Sequence, residues 1–192
     1  MAPLAPLPLD LPAEVRSAID ANVAARAHVD EHPGLSEVYA ALFHAPAIAS
    51  AVSVLGQALR FSDAIPADLR ELAILRFAEQ TRIGYEWAHH QLPAKQAGLS
   101  VAIIEALGRG EVPEECSSVQ RDVIAAVDCV LHQRSIPADI QTALADALGG
   151  EAGIVALVTM VGLYRLIGAV ITSFDVALEA GLSRPPWDAT GA

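Results

Sequence analysis

Leu69–Ser100 reads LRELAILRFAEQTRIGYEWAHHQLPAKQAGLS, and this stretch decides what kind of chain this is. With about 100° of rotation per helical residue, Leu72, Ala73, Arg76 and Phe77 fall on one side of a helix beginning near Leu69, while Ile74, Leu75 and Ala78 cover most of the other. A helix apolar nearly all round belongs inside a bundle. Glu71 points between the directions of Leu75 and Ala78, into an apolar setting where a carboxylate must be paired, hydrogen-bonded or protonated. Glu71 is therefore a candidate proton carrier. The competing reading places it in a solvated ion-paired strip with Arg70, Arg76 and Glu79.

A second helix starts near Gly84 and carries Tyr85, Glu86, Trp87, His89 and His90 in close succession. Glu86 and His90 stand at i and i+4, so both side chains share one face about one turn apart, and both can reach one substrate. Pro93 cannot donate to the carbonyl of His89 and crowds it, which predicts a kink just beyond the histidines and a free carbonyl beside them. Gly98 fits the residue just past a helix end, and Ser100 the N-cap of the next helix. The bland alternatives are ordinary: a lone His on an apolar helix is usually a hydrogen-bonded core or surface residue, and Tyr85 and Trp87 alone read as core. Two adjacent histidines after a Glu, between aromatics, favour a pocket.

The rest of the chain extends the helical pattern. Helices are predicted near 12–28, 35–44, 46–60, 66–82, 84–97, 100–108, 118–133, 137–148 and 151–180, with no alternating strand pattern, so the fold class is all-α. Pro46, Pro66 and Pro137 sit at first turns, and Gly98, Gly108, Gly149 and Gly181 at helix ends. Residues 1–11, rich in proline, read as an extended N-terminal arm in polyproline II-like conformation; 12–183 form one helical domain, and 184–192 a tail. Ala97-Gly98-Leu99-Ser100 recurs as Ala180-Gly181-Leu182-Ser183, and the helix from Val119 echoes that from Leu69, which hints at two related halves, about 12–110 and 117–183, joined by the polar linker Gly108–Ser117.

Composition bounds the partners. The 192 residues are 53% apolar, with mean hydropathy +0.40 and a net charge of −11. That hydropathy is high for a soluble chain this short, and it predicts apolar surface buried between subunits of a homo-oligomer. The acidity argues against nucleic acid and anionic membrane surfaces, both of which require basic patches. The N-terminus lacks the basic and apolar blocks of a signal peptide. Ala152–Phe174 mimics a membrane span, but Arg165 interrupts it after an uncharged run shorter than the roughly 20 residues a span needs, so it reads as a buried helix. Cys116 and Cys129 are well separated and lack metal or redox spacing, which points to a reducing, cytoplasmic setting.

The run R-E-L-A-I-L-R-F-A, then Y-E-W-A-H-H, then A-G-L-S, resembles the carboxymuconolactone decarboxylase family, which also contains the alkylhydroperoxidase D-like proteins. The match is strong over 69–100 and diffuse elsewhere. The resemblance implies an alkylhydroperoxidase D-like helical bundle, built in several members from two related halves, and an assembly that is a trimer or a multiple of one. In the hydroperoxidase branch a Glu is followed twelve residues later by the first Cys of a C-x-x-C, and a His lies four beyond the second. Laid on this chain from Glu71, those positions are Ile83, Glu86 and His90. Glu and His are kept and both thiols are gone, so the dithiol peroxidase mechanism, which needs a thiolate and a resolving Cys, has no residues to run on.

Carboxylates and an imidazole in an apolar pocket are suited to moving protons. The decarboxylase branch works on small lactone acids without a cofactor, and the resemblance implies the same class here: an acid/base enzyme of decarboxylase, lyase or isomerase type on a small carbonyl compound or lactone acid. In that reading Glu71, Glu86 and His90 are catalytic, with His90 the acid/base, Glu86 orienting it or acting as a second base, and Glu71 relaying protons. Tyr85, Trp87 and His89 bind the substrate. The reading calls for no metal and no cofactor; a metal site built from Glu86, His90 and Glu71 or His89 is a rival, weakened by the lack of a compelling third ligand. The other rival reading is a non-catalytic helical binding protein with a vestigial pocket.

Overall fold

The computed structural model describes residues 3–26, 34–60 and 63–188. Among these residues all regular structure is helical: α1 (Ala13–Arg26), α2 (Glu37–Leu42), α3 (Pro46–Arg60), α4 (Ala67–Thr81), α5 (Gly84–Gln96), α6 (Val101–Gly108), α7 (Ser118–Leu131), α8 (Ala138–Ala147) and α9 (Glu151–Ser173), then a 3-10 turn at Pro186–Asp188. The all-α expectation holds. The predicted extension of the first helix to residue 28 falls outside the described residues, as do residues 1–2 of the arm and 189–192 of the tail.

Local chemistry sets the boundaries. Gly98 closes α5 with φ +96°, a value that suits a residue without Cβ, and the Leu99 amide reaches back to the Ala94 carbonyl at 3.0 Å. Ser100 caps α6 by accepting from the Ile103 amide at 3.2 Å. Ser117 and Gln120 form a reciprocal capping box at the start of α7. α5 runs on through Pro93 to Gln96, so the proline leaves its bond gap inside the helix without ending it.

α4 is the axis of the bundle. It packs against α5, α6, α7 and α9, and its positions Leu69 and Glu71 to Glu79 are all buried. The polar members of that run are not solvated. Arg76 makes a bidentate pair with Asp128 of α7, both bonds 2.8 Å, and also donates to Glu79 at 3.2 Å. Of the ion-paired strip considered for the α4 charges, Arg76 and Glu79 belong to a buried tie between α4 and α7, while Glu71 pairs with Arg70 at 3.2 Å and is itself buried. α9 packs on α2, α3, α4, α7 and α8, and Gly168 lets it approach the α4–α5 turn so closely that a Cβ there would stand 2.3 Å from Ile83 Cδ1.

The last helix is the main departure. It ends at Ser173 instead of reaching 180, because Asp175 turns left-handed (φ 48°) and the Val176 amide bonds back to the Ile171 carbonyl at 3.0 Å. The residues released form a strap, 174–185, that crosses back over α2 and α5. α9 is long and apolar enough to cross a membrane, but 44% of its most apolar window is buried in the bundle, while Val155, Val158 and Leu166 remain exposed. The arm lies against its own chain, where His44 Nε2 donates to the Ala5 carbonyl at 3.0 Å.

Candidate active site

The α4–α5 hairpin supplies the first pair of groups. Tight closure by Arg82 in the left-handed region (φ 56°) and the Ile83 amide on the Ala78 carbonyl fold α5 back along α4. This sets Glu71 Oε2 2.6 Å from His90 Nδ1, with both residues buried. Burial alone would raise the Glu71 carboxyl, but the His90 charge and hydrogen bond, with Arg60 and Arg70 nearby, outweigh it and hold the group below the ordinary carboxylate range. An ionised Glu71 only accepts, so Nδ1 of His90 carries the proton and Nε2 is the ring atom that faces the remaining groups. Arg70 Nε braces the other carboxylate oxygen at 3.2 Å.

On that Nε2 side stand Tyr164 Oη at 3.1 Å, delivered by α9, and Glu86 Oε2 at 3.6 Å, one turn back on α5. Burial drives the Glu86 carboxyl up, and the charges of His90, His89, Arg26 and Arg60 only partly oppose that. Burial also raises the Tyr164 hydroxyl, so it stays a neutral O–H donor. The two glutamates flanking one imidazole are therefore pushed in opposite directions: Glu71 towards the anion, Glu86 towards the acid.

These groups open on a small cavity of about 30 Å³, lined by Glu86, His90, Tyr164, Tyr85, His89 and Tyr39 among others, with Arg26 and Arg60 at its edge. That volume holds one or two waters. A larger groove of about 520 Å³ lies between the arm, α2 and residues 174–177, but none of the three predicted catalytic residues reaches it. Among the described residues no cluster of His, Cys, Asp and Glu has the geometry of a metal site.

The strap organises the cavity wall. Glu179 accepts from Tyr85 Oη at 2.7 Å, from the Glu37 amide at 2.9 Å and from His89 Nε2 at 2.8 Å. Burial would raise its carboxyl, but these hydrogen bonds and the His89 charge depress it to about 2. Tyr85 in turn accepts from the Val38 amide at 3.3 Å and stacks on His89, centroids 4.4 Å apart.

Of the residues singled out from the sequence, Glu86, His90, Tyr85 and His89 line the cavity, and Glu71 stands behind His90 without lining it. Trp87 is a correction. One helical step past Glu86 rotates it away from the cavity and towards α6 and the 3-10 turn, where it meets Trp187 edge to face at 5.0 Å and closes on Gly108. Sequence reasoning missed Tyr164, Glu179, Tyr39, Arg26 and Arg60. The one signal for Tyr164 was an aromatic hydroxyl in a mostly apolar helix. Cys116 and Cys129 are buried outside the cavity.

No family model and no curated protein matches this sequence. Solved structures do. A cysteine-to-alanine variant of the debrominase Bmp8, in complex with 2,3,4-tribromopyrrole, superposes with TM-score 0.68 at 14% identity, covering 91% of this chain and 90% of that one. The apo form of the same debrominase gives 0.68 at 13% identity, covering 91% of each chain. At such identities the likeness is one of fold: this chain shares the all-helical fold of that debrominase.

Proposed function

We propose that this protein is an acid/base enzyme acting on a small carbonyl compound or lactone acid, of decarboxylase, lyase or isomerase type. The observation that carries it is the buried line Glu71–His90–Tyr164, with bonds of 2.6 Å and 3.1 Å, ending at a cavity beside a glutamate pushed towards its acid form. Neutral His90 takes a proton through Nε2 from the carbon next to the carbonyl. Glu71 fixes the tautomer and stabilises the imidazolium that forms. Protonated Glu86 and the Tyr164 hydroxyl donate to the oxygen that becomes enolate-like, and the imidazolium returns its proton to carbon. In a decarboxylation the substrate carboxylate leaves as carbon dioxide in place of the C–H proton, and the enolate-like carbon takes the proton of the neutral Glu86 carboxyl, which solvent then restores. In this reading Glu71, 2.6 Å from Nδ1, is the orienting group, and Glu86, 3.6 Å from Nε2, is the acid; the two distances support that division.

The fold neighbour is a debrominase, so enzymes occur on this fold. Its reaction does not transfer by fold alone. No cysteine lines the cavity among the described residues, so thiolate chemistry lacks its nucleophile there.

Deuterium uptake from D2O next to the carbonyl in a panel of small keto acids and unsaturated lactone acids, followed by NMR, tests the reading. Exchange on at least one compound is expected, falling at least about 100-fold in His90→Gln. Exchange that His90→Gln leaves intact, or none on any compound, refutes it.

A further inference from the structure

At about 30 Å³ the reaction cavity is far smaller than a keto acid or a lactone acid, so the structure shows a closed form. Its lining comes from α1, α2, α3, α5 and α9, helices packed on one another or on α4 that cannot part cheaply. Side chains can. Tyr85 and His89, stacked with centroids 4.4 Å apart, form the wall that faces the strap, and the hydroxyl of one and Nε2 of the other both end on Glu179.

The strap is fastened at its two ends. At the first it leaves α9 through the left-handed turn at Asp175, with the Val176 amide on the Ile171 carbonyl. At the second, Pro185 is buried against Gly84, where a Cβ would stand 3.1 Å from Pro185 Cγ, and Trp187 meets Trp87. Gln91 Nε2 donates to the Ser183 carbonyl at 3.3 Å beside that anchor. Between the ends, Val176 and Leu178 rest half-buried on the core, while Ala180, Gly181 and Ser183 are exposed. Glu179 lies midway and ties the strap to two elements at once: to α5 through Tyr85 and His89, and to α2 through the Glu37 amide.

That placement joins two spaces. Glu37 lines the groove of about 520 Å³ between the arm, α2 and residues 174–177. Its neighbour Val38 lines the reaction cavity and donates its amide to Tyr85 Oη. Groove and cavity therefore lie on two sides of one carboxylate and the two rings it holds. We propose that Glu179 is the latch of a substrate gate: when it releases Tyr85 and His89 their side chains swing aside, the cavity opens into the groove, and a small carbonyl compound passes along this route to Nε2 of His90. This deepens the acid/base reading and rests on it only for what enters and reacts. A form held off by a few hydrogen bonds to one carboxylate belongs with minor states populated at about 0.1–10%, enough to admit substrate. Reclosure then keeps bulk water from the reacting carbon.

Access to His90, a residue Glu179 does not touch, can be measured without turnover. Diethyl pyrocarbonate is an electrophile larger than the closed cavity, and peptide mass spectrometry of the full-length protein gives its rate at each histidine, with exposed His132 as the internal standard. In wild type His90 should react at least about 100-fold more slowly than His132, and Glu179→Gln should speed His90 at least about tenfold. Tyr85→Phe, which removes one of the three bonds and keeps the stack, should fall between and decides if the Gln variant does not fold. Leu144→Ala destabilises the bundle in α8 without touching the latch and should change the His90 rate less than about twofold. In the Glu179→Gln background, Ala41→Trp or Ala40→Trp fills the groove and should slow His90 at least about fivefold, whereas Ala102→Trp, in a different surface recess on α6, should not. His90 as reactive as His132 in wild type, no acceleration in Glu179→Gln, equal acceleration by Leu144→Ala, or a rate blind to bulk in the groove overturns the gate. Gated access to His90 with no deuterium exchange on any compound sinks the acid/base reading and leaves the gate standing; ungated access with His90-dependent exchange does the reverse.

Discussion

Glu179→Gln isolates what the strap contributes. In the native protein one carboxylate oxygen accepts from the Tyr85 hydroxyl and the Glu37 amide, and the other from His89. Gln keeps the shape and one acceptor, but its amide nitrogen meets the ring nitrogen of His89 as a donor facing a donor. The depression of the Glu179 carboxyl from 4.5 to about 2 sets an upper bound of about 3.5 kcal/mol on the stabilisation, at about 1.4 kcal/mol per pKa unit. The group keeps some contact with solvent, which screens it, so about 2 kcal/mol is expected at pH 7. For a chain of this length that is a loss of roughly 4–8 °C in melting temperature. The folded state holds fewer protons on Glu179 than the unfolded state does. Its contribution is therefore complete above pH 4.5 and is lost as pH falls towards about 2. Urea unfolding of wild type and Glu179→Gln across acid pH measures this. The gap should be full at neutral pH and down to roughly half or less near pH 3. A gap below about 0.5 kcal/mol at pH 7, or one that does not shrink in acid, refutes the argument.

Other outcomes follow from the same geometry. Glu71→Gln keeps the shape and removes the charge behind His90, so turnover should fall at least about 100-fold; a change below a few fold, measured by the deuterium assay, contradicts the orienting role. Gly56→Ala should raise stability by about 0.5–1 kcal/mol through helix propensity, because the added Cβ meets only ordinary contacts, 3.5 Å from Tyr39 Oη; paired melts measure it, and a loss of stability contradicts it. Cys116→Ser and Cys129→Ser should leave any activity within a few fold, and no thiol-dependent hydroperoxide turnover should be found with a dithiol reductant; turnover abolished by either variant contradicts this. We propose a homo-oligomer that covers exposed Ile48, Val54, Val155, Val158 and Leu166, and light scattering over a dilution series should show a trimer or a multiple of one, not a monomer throughout.

Periodicity and capping are local, and they were legible. The apolar faces of 69–81, the stops at Gly98 and Ser100, and the prolines at first turns place most helix boundaries within two residues of those observed, because each depends on neighbours a few positions away. The i, i+4 pair Glu86 and His90 was legible for the same reason. Burial of Glu71 followed from the residues on either side of it, and its relation to His90 from the family spacing. What no local rule supplied was the company these groups keep. Tyr164 is 74 residues from His90, and Glu179 is 90 from His89. Arg26 and Arg60 come from two further helices, and their convergence depends on how α1, α3 and α9 cross. The end of α9 turned on Asp175 entering a left-handed conformation, which composition disfavours for a helical run so apolar, and without that early stop Glu179 would not reach Tyr85 and His89. Trp87 looked like a pocket residue because of its neighbours in sequence, yet rotation about the helix axis sends it to the opposite wall. Sequence fixes which side chains share a face of their own helix; only packing decides which faces meet, since that depends on the sum of many weak contacts over the whole core.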